Sequence, residues 1–451
     1  MIASDYAFAH ASNQAFVPLL PTNFYISAGV LAVALTVVLL AIPSLGKGLS
    51  TIPDVKLVRT SGWDFSSGTS LAFFAMLIFL VYTGMTGSND PLVNPLPLFI
   101  WTVFWIGLVC LQAIVGDLWY WLNPWMGPYN AFCRIAKWDA PFSLPTSLQV
   151  WPAIISFLLF AVFMLASLSP EDPTRLAVIV SIYWIVTFVG MLIFGGNDWL
   201  KHFECFTRLM NNFSRLSVFG VVDGRLRIGV PGWKLKHLKM NSVAAGLFVV
   251  VVFASSSFDG LNETFWWLDF LGINPLEFPG RSAVFWQTIG GLLIFNVLMI
   301  VLFSAFVFLG LKLIGEEGHF FGVFFRLAVC VIPIAVAYHI AHFLTTFLVN
   351  IQYSLAAASD PWADGSDYLG LGTFYVTTGF FNTLDSVRVI FLTQVIVIVL
   401  GHLISIVAAH AEVMRLFDNH KKAVLCQIPL ATFMVAYTFF GLWLLAAPRG
   451  A

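Results

Sequence analysis

Two late apolar segments, residues 323–350 and 389–411, hold His339, His342, Gln394, His402 and His410. The whole chain has nine histidines, and four of them share a setting in which an unbound imidazole is costly. Ionisable side chains inside apolar spans are candidates for binding, proton transfer or transport. Positions i and i+3 of a helix project from one face about 5 Å apart, so His339 and His342 have the spacing to ligate one ion or embrace one substrate group. His402 and His410 do not, because eight residues separate them by about 12 Å along the axis. If the first segment runs outward and the second inward, His339, His342 and Gln394 reach a common depth in the outer half. His402 joins them if the helices tilt, and Tyr338, Asn350 and Gln352 are candidate supporting groups.

Neutral imidazole without thiolate suits a transition metal: copper foremost, then zinc or iron. Haem b is an alternative, with His339 and His402 as axial ligands on adjacent spans, although their depths differ by about 10 Å. The same rings also suit transient binding of transported cargo, a proton relay, or hydrogen bonding between helices. No Ser-His-Asp arrangement, phosphate-cradling loop or Cys-x-x-Cys pair is visible. Carboxylates come only from two acidic stretches read as outer loops, ASSSFDGLNETFWWLDF with Asp259 and SLAAASDPWADGSDYLG with Asp360. Asp259 and Asp360 are therefore the candidate acid, base or entry groups, in a vestibule whose field would gather cations. Ala-Phe-Ala before His10 is similar to a signal-peptidase site, yet nine residues leave no room for the charged and apolar regions of a signal. Cleavage there would make His10 an amino-terminal histidine, a copper(II) ligand through its amine and imidazole.

The elements that must position these groups follow from composition. Hydrophobic residues make up 59% of 451, aromatic residues 16% and charged residues 10%, with mean hydropathy +0.89. This is the composition of an all-α polytopic membrane protein, and the formal charge of -1 with no long basic run sets nucleic acid aside. A span needs about 20 apolar residues. Ten windows qualify: about 23–45, 69–86, 96–116, 150–168, 175–195, 241–258, 285–312, 323–349, 389–410 and 425–447. With no water to satisfy backbone amides, each is expected to be a helix.

Lys and Arg number eighteen in the odd connections, counting Arg326, against four in the even ones (Arg175, Arg281, Arg388 and Arg449). That bias puts both termini outside, in the periplasm if the membrane is a bacterial inner membrane. Cys110 and Cys330 lie in spans, and Cys133, Cys205 and Cys426 lie on the basic side, where thiols stay reduced.

Four parts are expected: a tail over 1–22, spans over 23–195, a basic loop over 196–240, and spans over 241–451 that carry the histidines. The third connection gathers Trp119, Tyr120, Trp121, Trp125 and Tyr129, an aromatic belt. In the loop, Phe203, Phe206, Met210, Phe213 and Leu216 recur at helical spacing against Lys201, Arg208 and Arg215, as in an interfacial helix drawn to anionic lipid. Val221–Ile228 reads as a hairpin with an Asp-Gly turn. Five spans on either side of the loop fit inverted halves, but no central Gly or Pro interrupts the first or sixth span as carriers often require.

HASNQAFVPLLPTNFY, GDLWYWLNPW, SSSFDG, IPIAVAYHIAHFL, GHLISIVAAHAEVMRLF and QIPLATFMVAYTFFGLWLL occur in this order along the chain. Together they resemble a family of bacterial polytopic membrane proteins, some of which carry the label fenitrothion hydrolase. His10, His339, His342, His402 and His410 fall in these blocks. The resemblance implies phosphotriester hydrolysis, for which a metal that lowers the pKa of bound water would serve. The sequence-level expectation is thus an inner-membrane metalloprotein acting on a small or lipophilic substrate, with a carrier or metal exporter and a haem subunit as alternatives.

Overall fold

The computed structural model describes residues 17–49, 53–59, 65–237, 242–277, 280–417 and 419–449; His10 lies outside the described residues. Among them, nine helices are long and apolar enough to cross a membrane. They are α1 (Thr22–Ala41), α2 (Ser66–Thr86), the continuous stretch α3 (Pro95–Ile114), α5 (Pro173–Phe194), α8 (Val243–Asn262), α9 (Phe285–Ile314), the broken pair α10 (Phe320–Val329) and α11 (Ile332–Ser359), α12 (Leu384–Phe417) and α13 (His420–Ala446). The window at 150–168 forms α4 (Trp151–Ala166), whose 16 residues extend about 24 Å, short of an apolar core about 30 Å thick. Two shorter helices, α6 (Gly196–His202) and α7 (Cys205–Phe213), lie in the fifth connection.

Three strands mark one end of the bundle. β1 (Asp54–Arg59) comes from the first connection, and β2 (Phe219–Val222) and β3 (Arg225–Gly229) form the expected hairpin, turning through Asp223 at φ 52 and Gly224 at φ 65. Positive φ at both central residues is what a two-residue hairpin turn requires. The sheet order is β1-β3-β2, antiparallel throughout. Arg227 ties the two connections together, 3.1 Å from Asp54 and 3.1 Å from Asp223. This end is called the sheet end below.

α8 is the most enclosed of the nine. Its run of four valines would favour a strand in water, but in an apolar medium only a helix satisfies every amide within the segment, and an apolar surface all round suits burial on all sides. α9, α10, α4 and α11 pack around it. Small residues let axes approach: a Cβ at Gly310 of α9 would sit 2.0 Å from the Cys426 carbonyl oxygen of α13.

Two irregularities interrupt the long helices. Residues Phe99–Leu108 of α3 wind as a π-helix. The eighth span breaks at Cys330–Val331, before Pro333 in the first turn of α11. Proline supplies no amide and its ring crowds the preceding turn, so carbonyls there lose helical partners. Ser405 of α12 supplies one, its hydroxyl donating to the Cys330 carbonyl at 2.6 Å.

α7 departs from the expected interfacial position. Cys205, Arg208, Leu209, Met210, Asn212 and Phe213 are buried. Phe206 packs edge-on to Phe104 and Phe160, so the helix enters the bundle between α3 and α4. Glu204 starts it, accepting hydrogen bonds from the Phe206 and Thr207 amides and from the Tyr183 hydroxyl. Burial pushes the Glu204 carboxyl above its ordinary value.

Candidate functional site

The sixth window was expected to end at 258, leaving Asp259 in an outer loop. The helix instead continues to Asn262, so Asp259 is a buried helical residue. The last turns of α8 carry Ser255, Ser257 and Asp259, and each reaches a different neighbour. Ser255 bonds the side chain of Asn296 on α9, Ser257 accepts from the Tyr437 hydroxyl of α13, and Asp259 faces His342 of α11.

His342 Nε2 lies 3.2 Å from Asp259 Oδ2, with only 7% and 9% of the two side chains exposed. Tyr338, one turn earlier on α11, stacks on the imidazole with ring centroids 5.6 Å apart and planes within 13°. Phe343 closes another side at 4.7 Å. Two polar atoms here have no hydrogen-bond partner among the described residues, Tyr338 Oη and His342 Nδ1. The contact sets a ring nitrogen that can carry a proton against a carboxylate oxygen that can accept one. The geometry therefore suits binding and releasing a proton.

The remaining predicted residues go elsewhere. His339 turns toward α3, where its Nε2 donates to the Trp105 carbonyl at 2.9 Å within the π-helical stretch, and its ring meets the Trp105 indole edge-on at 5.1 Å. Gln394 donates to the Ala341 carbonyl at 2.7 Å. His402 donates through Nδ1 to the Ile398 carbonyl of its own helix at 2.9 Å, and its Nε2 has no hydrogen-bond partner among the described residues. His410 bonds Gln427 near the sheet end and packs against His420. Asp360, at the end of α11, accepts the Asp364 and Gly365 amides at 3.0 and 2.9 Å and organises its own loop.

Thus the structure joins His342 to Asp259, and separates both from Asp360. His339 and His342 sit on one helix but serve different neighbours, because three residues of α-helix turn the second ring about 60° from the first. Among the described residues, no group of three His, Cys, Asp or Glu side chains is placed to hold one metal ion. All five cysteines are free.

Sequence reading missed the His342–Asp259 pair and the Ser255–Asn296 and Ser257–Tyr437 contacts that flank it. A usable signal was Asp259 four residues after Ser255, the spacing of one helical face.

The fold is that of a multi-pass helical membrane protein. No family model matches the chain, and no curated protein or solved structure matches it.

Proposed function

We propose that the chain is a proton-coupled carrier of a small or lipophilic substrate in a bacterial inner membrane, with His342 and Asp259 as its proton-binding centre. The observation that carries this reading is the buried 3.2 Å contact between an imidazole and a carboxylate contributed by two helices. Two further features support it. The helix that bears His342 is broken at Cys330–Val331, and the helix facing His339 is wound as π over Phe99–Leu108. Interrupted helices beside a buried titratable site are the usual construction of secondary carriers. In this reading the sheet end is cytoplasmic, α4 completes ten spans, and both termini face the periplasm, in keeping with the excess of Lys and Arg in the connections that share the sheet end.

The test is infrared difference spectroscopy of the reconstituted protein between acid and mildly alkaline buffer. A carboxyl band that appears on acidification and is missing from Asp259→Asn is expected, together with loss of substrate-driven proton movement in vesicles that carry this variant. Spectra identical in wild type and Asp259→Asn would remove the proton-binding centre.

A second reading, a metal-dependent hydrolase or oxidoreductase, is supported by the open valences of His342 Nδ1 and Tyr338 Oη beside Asp259. Copper, zinc or iron held there would answer to elemental analysis of wild type against His342→Ala and His339→Ala. Equal metal content in all three would end the metal reading, and a haem subunit would declare itself by visible absorption.

A further inference from the structure

Near the sheet end, on the far side of the bundle's length from His342, a cavity of about 370 Å³ opens between the amino-terminal ends of α4 and α8 and the helices α6 and α7. Its charged lining is Lys201, His202, Arg208 and Asp198. Asp198 and Lys201 are exposed, one of each sign. Arg208 is different: it is only 7% exposed, and its Nε has no hydrogen-bond partner among the described residues. No carboxylate among the described residues forms an ion pair with it. Glu204, one turn earlier, uses its oxygens on the Phe206 and Thr207 amides and the Tyr183 hydroxyl.

A guanidinium buried without a counter-ion is strongly unfavourable, because no opposite charge replaces the water it has lost. Arg215 follows it by seven residues, and burial together with the Arg208 charge brings Arg215 down to about 9. Arg208, the buried cation of the cavity lining, calls for an anion. Ser242, the N-cap of α8, also lines the cavity, so the positive end of a 20-residue helix faces the same space. A guanidinium fork beside a helix N-terminus matches the oxygens of a phosphoryl group. The cavity exceeds what a bare ion fills, and Leu144 and Phe203 supply apolar wall.

We propose that this cavity binds the phosphoryl group of a phosphate ester, with Arg208 as the buried anchor and Lys201 and His202 at the mouth. The ester is either a membrane phospholipid headgroup or a soluble phosphate ester, and two probes distinguish them. Full-length protein in maltoside micelles, which contain no phosphate, is titrated with phenyl phosphate and separately with phosphatidic acid in mixed micelles. Wild type is expected to bind at least one probe at millimolar concentration or below, Arg208→Gln at least tenfold more weakly, and Arg208→Lys in between, since a lysine keeps the charge but not the fork. Binding of phenyl phosphate assigns a soluble ester, and binding of phosphatidic acid alone assigns a lipid. If Arg208→Gln is not monodisperse, Lys201→Gln with His202→Gln takes its place, with a threefold loss expected. No binding of either probe to wild type, or equal affinity in the folded variants, overturns the proposal. The His342–Asp259 centre does not enter these readouts.

Discussion

A Cβ added at Gly260 of α8 would lie 1.8 Å from the Tyr338 hydroxyl of α11. That approach sets the spacing at which Asp259, the neighbouring residue, meets His342. Gly260→Ala should therefore push the two helices apart, at about 1–3 kcal/mol for overpacking, and lower the melting temperature of the solubilised protein. Tyr338 Oη has no partner among the described residues, so Tyr338→Phe removes the clash without abandoning a hydrogen bond. The double variant should recover most of the loss. A double variant no more stable than Gly260→Ala would show that Tyr338 is not what confines Gly260.

The Asp259–His342 contact should behave as a coupled pair in a double-mutant cycle. Removing one partner leaves the other buried alone, which costs about 3–5 kcal/mol when both are charged. Asp259→Ala and His342→Ala are each expected to destabilise, and the combined variant to lose clearly less than the sum. Thermal unfolding of the four proteins measures the coupling, and strict additivity would mean that the two side chains do not interact.

Much of this architecture could be read from the chain, because in an apolar solvent long hydrophobic runs have one backbone solution. Residues 285–312 and 389–410 became α9 and α12 for that reason, and the Asp-Gly turn announced the hairpin. The site was harder. Histidine spacing on one helix indicates which face a ring leaves, but its neighbour is set by tertiary packing, so His339 and His342 could not be assigned to Trp105 and Asp259. The end of α8 was misplaced because Asp259 looks like a loop residue when judged by polarity alone, as do the serines before it. Ser255, Ser257 and Asp259 in fact each meet a polar group across a helix interface. The break before Pro333 had a visible cause, whereas the π-winding of Phe99–Leu108 had none in its largely apolar sequence.

Glu412, near the sheet end of α12, is 5% exposed and bonds both Arg326 of α10, at 3.0 Å, and Arg415 on its own helix. It thereby pins the segment before the Cys330–Val331 break. Glu412→Ala leaves Arg326 without its carboxylate; with that arginine's side chain 29% exposed, solvent reduces the penalty to about 1–3 kcal/mol. The melting temperature should fall, and hydrogen exchange should rise in residues 320–331. Faster exchange confined to α12 would show that Glu412 does not hold α10.

Lys234, beside the hairpin, makes stability depend on alkaline pH. Its ammonium donates to the Ser214 carbonyl at 2.8 Å and the Ser217 hydroxyl at 2.6 Å, while burial lowers it from 10.5 to about 8, opposed only in part by Asp117. The folded form thus releases its proton before the unfolded form does. Between about 8 and 10.5 the unfolded chain holds more protons, so this group's contribution to stability increases with pH. Below about 8 both forms are charged and the contribution is flat at its least favourable value. Lys234→Met, which keeps the stem over Trp233 and removes the charge, should lose that rising segment. The comparison to make is the wild-type melting temperature minus that of the variant across this window, since tyrosines elsewhere titrate in both proteins alike. A difference that does not climb with pH would mean that the Lys234 ammonium is as well solvated in the folded protein as in the unfolded chain.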